Sequence, residues 1–298
     1  MKEIVVISGK GGTGKTSLLA SFAALSRGAV IADCDVDAAD LHLVLGPKVI
    51  RREKFYSGNE AVIRQEVCRR CGTCREVCQF GAVVLHNEKE GAASYEIDPF
   101  SCEGCGVCVR FCPAGAIDFP ERFSGEWFVS ETRYGTMVHA RLGVAAENSG
   151  KLVSLVRREA REIAEKEHRD LLLVDGPPGI GCPVIATLTG ATAALVVTEP
   201  TPSGHHDMMR VLELAAHFHI PAAVSVNRWD INPDMTAEIE GAACRAGATV
   251  AGRVRYDPVV TEAQRRGRTV VETGGGAAED IRDIWSGIEK GVLSHDTQ

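Results

Sequence analysis

The segment Gly9-Lys10-Gly11-Gly12-Thr13-Gly14-Lys15-Thr16 constrains this chain more than any other. It satisfies G-x-x-x-x-G-K-[ST] and lies between an apolar run, Glu3 to Ile7, and a helical stretch from Lys15 to about Arg27. That context predicts a buried parallel strand, a glycine turn and a helix N-terminus. Backbone N–H groups in such a turn curl around phosphate oxygens, aided by the positive end of the helix dipole. The pattern assigns Lys15 to the β- and γ-phosphates and the Thr16 hydroxyl to magnesium. Gly9 through Ser17 is therefore the expected ATP-binding segment. A dinucleotide-binding turn is the weaker reading of this loop, which closes on Lys15-Thr16.

The rest of the chain repeats the strand–helix alternation. Val30 to Ala32 reads as a second strand, ending in the acidic run Asp33-Cys34-Asp35-Val36-Asp37. Further apolar strands are expected at Leu171–Val174, Ala194–Thr198 and Ala222–Val226, with a weaker one at Thr249–Val254. Helical stretches separate them, at Gly150–Glu167, His205–His217, Pro233–Ala246 and Asp257–Arg266, with a last helix from Ala277 to about Gly291. This order predicts an α/β fold, a mostly parallel sheet with helices on both faces. Trp127 to Leu142 reads as extended chain or a hairpin. Between about Asn59 and Glu121 the rhythm breaks, and no helix there is long enough to cover a sheet. The expected organisation is a discontinuous P-loop domain, 1–58 and 122–298, with an α+β domain, 59–121, inserted after the second strand.

That insertion carries the unusual part of the composition. Eight of the eleven cysteines fall between Cys68 and Cys112, and clustered cysteines in a reducing compartment more often hold metal than form disulfides. Cys68-x-x-Cys71-x-x-Cys74-x-x-x-Cys78 is followed by Cys102-x-x-Cys105-x-x-Cys108-x-x-x-Cys112-Pro113. Zinc also binds C-x-x-C pairs, but it calls for two pairs and not for triplets with a distant fourth ligand. The runs match the bacterial two-cluster ferredoxin spacing, in which each run's fourth cysteine serves the other run's cluster. The resemblance implies two 4Fe-4S clusters. Cluster one would use Cys68, Cys71, Cys74 and Cys112; cluster two would use Cys102, Cys105, Cys108 and Cys78. Gly81-Ala82-Val83 and Gly115-Ala116-Ile117 follow in parallel, whereas Gln79 stands where the second run has Pro113. So short a segment buries little core of its own, and metal ligation is expected to stabilise it.

Lys10 is a second lysine within the phosphate loop. GKGGTGKT resembles the deviant loop of the MinD, ParA and Mrp ATPases and of the nitrogenase iron protein, over roughly residues 1–50 and 145–270. The resemblance implies that Lys10 reaches the phosphates of a partner subunit, that Asp35 orients the attacking water and that Asp33 supports the magnesium shell. Asp175-Gly176-Pro177-Pro178-Gly179 looks like the Walker B and switch II segment, with Asp175 near magnesium. Asn227 matches the adenine-reading asparagine, and Val254-Arg255-Tyr256-Asp257 the loop over the base, with Arg255 and Asp257 as contacts. Lys10, Lys15 and Asp35 are the expected catalytic residues.

As a whole the chain resembles MinD-superfamily ATPases that contain an inserted ferredoxin domain. The resemblance implies an ATP-dependent homodimer coupled to electron transfer or to a redox-dependent protein partner, among them a paralogous ATPase of the same type. Two alternatives stand beside it, an iron–sulfur carrier of the Mrp type and a MinD-like positioning ATPase with structural or sensory clusters. A formal net charge of −7 provides no broad basic face for nucleic acid. No apolar run reaches membrane-span length, no signal peptide is evident, and the acidic, mixed tail Glu279 to Trp285 does not suit a membrane anchor. A cytoplasmic location follows as an expectation. Cys34 and Cys244 are read as structural and Cys182 as a buried small apolar residue, although Cys182 lies where the nitrogenase iron protein has a cluster ligand. His205-His206 is read as a polar helix start and Glu147-Asn148-Ser149-Gly150-Lys151 as a helix entry.

Overall fold

A computed structural model of the chain describes residues 1–26, 28–86, 93–143 and 150–293. Among these residues the strands are β1 (Lys2–Ser8), β2 (Val30–Asp33), β3 (Lys48–Asn59), β4 (Val62–Ile63), β5 (Val83–His86), β6 (Ser94–Ile97) and β7 (Ile117–Asp118), then β8 (Glu121–Thr132), β9 (Gly135–Leu142), β10 (Leu171–Pro178), β11 (Ala193–Thr198), β12 (Ala222–Asn227) and β13 (Thr249–Val254). The chain divides into two compact units. One comprises Met1–Glu53, Glu126–Leu142 and the described chain from 150 onward; the other is Lys54–Gly125 with Gly143. The division falls within β3 and β8.

The larger unit is built on a sheet of order β13-β12-β11-β1-β10-β2-β9-β8-β3. β1 pairs in parallel with β10 and β11, and the parallel pattern continues outward through β12, β13, β2 and β9. Only Arg133 and Tyr134 connect β8 to β9, a connection that admits only an antiparallel hairpin. The central strands are buried on both faces; β1 reads Lys-Glu-Ile-Val-Val-Ile-Ser with six of its seven residues buried. Such uninterrupted apolar runs are what a sheet covered by helices on both sides requires. The helices Lys15–Leu25 and Gly276–Ile288 close one part of this core, where the Phe22 and Trp285 rings lie 5.1 Å apart. The helix Lys151–Lys166 buries Val153, Val156, Arg157, Ala160 and Ala164, spaced three or four apart on one stripe. Arg157 on that stripe pairs with buried Glu3, which also binds Arg161.

The expected strands and long helices are present, each within a few residues of its sequence reading. Elements that escaped that reading include the helices Leu41–Leu45, Cys182–Leu188 and Val270–Thr273, and the strand β3. β3 begins Lys-Val-Ile-Arg-Arg-Glu-Lys and its first seven residues are exposed. It lies at the end of the sheet order, and charged side chains there discourage pairing with other chains while erasing the alternation that marks a strand. The smaller unit begins within this third strand, at Lys54. The Glu147–Ser149 part of the expected helix entry lies outside the described residues.

The smaller unit contains two small sheets, β4 with β7 and β5 with β6, and two short helices, Thr73–Glu76 and Val107–Phe111. The β5–β6 pair is antiparallel, as is β4–β7. Each helix follows a left-handed glycine, Gly72 at φ 80° and Gly106 at φ 71°. The tandem duplication read from the cysteine spacing is thus also a duplication of backbone. Its core is slight, with Ala61, Ile63, Ala82, Val83, Ile97 and Ile117 buried around Cys74. No described helix is long and apolar enough to cross a membrane.

Candidate nucleotide and cluster sites

The phosphate loop runs from the end of β1 to the helix beginning at Lys15. Gly14 holds φ 90°, a left-handed conformation that glycine adopts without steric cost. Gly9 is required by proximity: a Cβ there would lie 2.4 Å from Asp207 Cβ, on the helix Pro202–His217. Asn227 ends β12 and donates from Nδ2 to the Thr13 carbonyl at 2.8 Å. The strand that carries Asn227 is thereby tied to the loop.

The acids gather because of strand register. β10 runs beside β2 with Asp175 opposite Asp33, the last residue of β2. Thr16 Oγ1 donates to Asp175 Oδ2 at 2.8 Å. Lys15 Nζ lies 2.5 Å from Asp35 Oδ2 and 3.6 Å from Asp175 Oδ1. The Asp35 N–H donates to Asp33 Oδ1 at 3.2 Å. All four charged side chains are buried. Burial, and then the neighbouring Asp175 charge, push the Asp33 carboxyl well above the usual carboxylate range. Burial likewise raises Asp175, against the pull of Lys15. For Lys15, burial acts downward, but Asp175, Asp35 and Asp33 together hold the ammonium above its ordinary value.

Asp33 Oδ2 and Asp175 Oδ1 are buried without a hydrogen-bond partner. Two orphaned carboxylate oxygens beside a P-loop threonine fit a divalent cation, since magnesium is held by one or two carboxylates together with substrate phosphates. A cavity of about 520 Å³, within the usual range for small-ligand sites, opens at Thr16, the hydrogen-bond partner of Asp175; Asp33 and Asp175 themselves are not on its wall. Gly11, Gly12, Gly14, Lys15, Thr16, Ser17, Asp35, Asn227, Arg255 and Asp257 border it. Arg255 is bound to Asp280 by both side-chain and backbone donors, and the Asp257 carboxylate accepts from the Val259 and Ala277 N–H groups. Lys10 is not on this wall. Its Nζ stands 3.5 Å from Glu199 and 3.4 Å from the Thr201 and Ser203 hydroxyls. Sequence reading missed Glu199, which also pairs with Arg228 at 2.6 Å, and Gln264, which donates to Ser17 Oγ at 2.8 Å. Neither belongs to a motif.

In the smaller unit the eight clustered cysteines border two cavities. Cys68, Cys71, Cys74 and Cys112 line one; Cys78, Cys102, Cys105 and Cys108 line the other. Among the described residues no three His, Cys, Asp or Glu side chains converge on a single-ion site. Thiols arranged around a cavity suit a polynuclear cluster better than one tetrahedral ion. Burial raises the Cys74 and Cys108 thiols, while a hydrogen bond with Thr73 lowers Cys71. Of the other three cysteines, Cys34 is fully buried, as expected. Cys182 corrects the sequence reading, since it is exposed as the first residue of its helix; Cys244, near the end of the helix Pro233–Arg245, is exposed as well. Neither packs as a small apolar residue.

The 4Fe-4S dicluster domain family matches residues 67–116. MinD of Pyrococcus horikoshii, solved with Mg-ADP, superimposes with a TM-score of 0.58 at 16% identity, covering 97% of this chain and 96% of that one. This likeness establishes the shared fold. The uncharacterised protein MJ0578 of Methanocaldococcus jannaschii is 35% identical over 240 residues, 77% of this chain and 79% of its own length. MJ0579 of the same organism is 27% identical over 238 residues, 78% of this chain and 82% of its own. The chain therefore belongs to the family of MJ0578, and it combines a MinD/ParA-type P-loop ATPase fold with an inserted 4Fe-4S dicluster domain.

Proposed function

We propose that this protein binds and hydrolyses ATP, and that an ATP-dependent dimer switch governs electron transfer or partner binding by a two-cluster module. The observation that carries the reading is the coexistence, in one chain, of a P-loop cavity backed by orphaned carboxylates and two cavities each bordered by four cysteines. In this reading Gly9 to Ser17 cradle the phosphates and Lys15 neutralises charge developing on them. Asp35 orients the attacking water, and Asn227, Arg255 and Asp257 border the base. Thr16, Asp33 and Asp175 would hold magnesium, which supplies further positive charge to the phosphates when bound. The work asked of the protein is positioning and electrostatics, as phosphoryl transfer demands.

Cys68, Cys71, Cys74 and Cys112 would hold one 4Fe-4S cluster, and Cys78, Cys102, Cys105 and Cys108 the other. Such clusters store and pass single electrons. Four cysteines at each cavity favour retained clusters over a transfer site, which sets this reading above that of a cluster carrier. Lys10 is the switch residue: on dimerisation it leaves Glu199 for the phosphates of the other subunit. Shifting a two-state equilibrium from 1:99 to 99:1 takes about 5.5 kcal/mol of differential binding, a scale that phosphate and magnesium contacts can supply. Similarity to two proteins of one organism, MJ0578 and MJ0579, supports a related ATPase as an alternative dimer partner.

The test is anaerobic light scattering of reconstituted protein with and without ATP and magnesium, alone and with a paralogue. A dimer that requires ATP and is abolished by Lys10→Ala is expected. Protein that stays monomeric in every mixture, with Asp35→Ala blocking turnover, would sink the switch.

A further inference from the structure

The two halves of the cluster module share a backbone but not a charge. Aligned on their cysteines, Arg69 corresponds to Glu103, Arg70 to Gly104 and Thr73 to Val107. Arg69 borders the cavity of Cys68, Cys71, Cys74 and Cys112, whereas Glu103 and Val107 border that of Cys78, Cys102, Cys105 and Cys108. A guanidinium thus stands at one site where a carboxylate stands at the other.

Hydrogen bonding to sulfur is unequal in the same sense. Thr73 Oγ1 lies 3.4 Å from Cys71 Sγ, placed to donate to the thiolate. The Arg70 N–H donates to Cys68 Sγ at 3.4 Å and the Ala116 N–H to Cys112 Sγ at 3.3 Å. The Val109 N–H serves Cys108 at the second site as the Arg75 N–H serves Cys74 at the first, so the first site keeps the larger set of sulfur donors among the described residues. At the second site Val107 replaces the threonine hydroxyl with a methyl group; the remaining walls are apolar at both, with Phe80, Val83 and Ile97 at the second and Ile63, Tyr95 and Ile117 at the first. Exposure does not offset this, because each site has one exposed cysteine, Cys71 or Cys105.

Adding an electron makes a thiolate-ligated cluster more negative. Nearby positive charge and donors to sulfur stabilise the reduced form and raise the potential; negative charge and apolar surroundings lower it. The Arg69–Glu103 exchange and the additional sulfur donors of the first site act in one direction; Arg122, whose guanidinium donates to the Cys102 carbonyl at 3.3 Å, acts against them at the second site. We infer that the clusters are inequivalent, and that the site of Cys68, Cys71, Cys74 and Cys112 has the higher potential and holds the electron when the module carries only one. An electron entering at the Glu103 site passes onward to the Arg69 site, each transfer oxidising one cluster and reducing the other. This inference rests on the proposal that both sites hold 4Fe-4S clusters.

The experiment is an anaerobic potentiometric titration of the full-length reconstituted protein, followed by electron paramagnetic resonance, together with an iron count. Expected are eight irons and two separate midpoints, with at least tenfold preference for one cluster, equivalent to 59 mV for a one-electron couple. Thr73→Val should lower the higher midpoint and leave the lower one in place. Glu103→Gln should raise the lower midpoint alone. Eight irons with coincident midpoints would overturn the inference while the two-cluster reading survives. So would Thr73→Val acting on the lower midpoint, or neither variant moving either signal. An iron count well below eight would instead overturn the two-cluster reading, and the inference with it.

Discussion

Lys15 Nζ lies 2.5 Å from Asp35 Oδ2, so the phosphate-loop lysine and the acid at the end of the second strand's loop form a buried ion pair. In the proposed function phosphate competes with this carboxylate for the lysine, which would link nucleotide binding to the position of Asp35. Lys15→Ala should abolish ATP binding, measured by calorimetry. Asp35→Asn should keep ATP binding and lower hydrolysis by about a hundredfold or more, the scale for removing a group that positions or deprotonates a nucleophile. Equal loss of binding in both variants would show that Asp35 acts only by supporting the loop.

Lys10 is held by contacts weak enough to break. Its side chain is 31% exposed beside Glu199 at 14%, and such partly exposed pairs contribute about 0–1 kcal/mol. Glu199→Gln should therefore leave monomer stability within about 1 kcal/mol and strengthen ATP-dependent dimerisation, seen as a lower midpoint concentration in sedimentation. Weaker dimerisation would mean that Glu199 serves the interface directly.

Removing iron should unfold one unit and spare the other. The core around Cys74 contains few large apolar side chains, so the smaller unit depends on its metal, as small metal-bound domains do. Hydrogen exchange after chelation should show lost protection across 54–125 and retained protection in β1, β10 and β11. Protection retained throughout would show that the smaller unit folds without clusters.

His139 gives the fold a pH dependence. Burial, and then nearby His42, pull its imidazole from 6.5 down to about 4, while Nε2 lies 2.9 Å from Ser130 Oγ and the ring stacks on Phe128. The unfolded chain takes up a proton near 6.5 that the folded chain refuses until about 4. Stability contributed by neutral His139 is complete above 6.5 and declines as pH falls through this window. Between pH 7 and 5 the loss should be about 2 kcal/mol in chemical denaturation, and His139→Phe should remove that part of the slope.

Glu3 is buried with Arg157 and Arg161 closed on its carboxylate. Glu3→Ala leaves the Arg157 charge buried and should cost about 3–5 kcal/mol, read as a lowered unfolding midpoint. A change below 1 kcal/mol would show that water reaches Arg157 in the variant.

The features legible in the sequence are those whose chemistry is encoded by spacing along a few residues. The phosphate loop needs glycines and a lysine at adjacent positions, and each cysteine run needs three thiols within a short turn, so both can be read without a fold. The apolar strands announce themselves because burial on both faces leaves no polar position. β3 did not, because an exposed edge tolerates the charges that hide it. Asp33 and Asp175, far apart in the chain, meet only because β10 runs beside β2 in one register. The contact of Lys10 with Glu199, that of Gln264 with Ser17, and the exposure of Cys182 are likewise set by packing between distant segments. Nor does the equivalence of Arg69 and Glu103 as wall residues of two cavities follow from spacing alone. Local spacing determined which chemistry this chain carries; the tertiary structure decided which charges face it, because electrostatic interaction depends on distance through space and not along the chain.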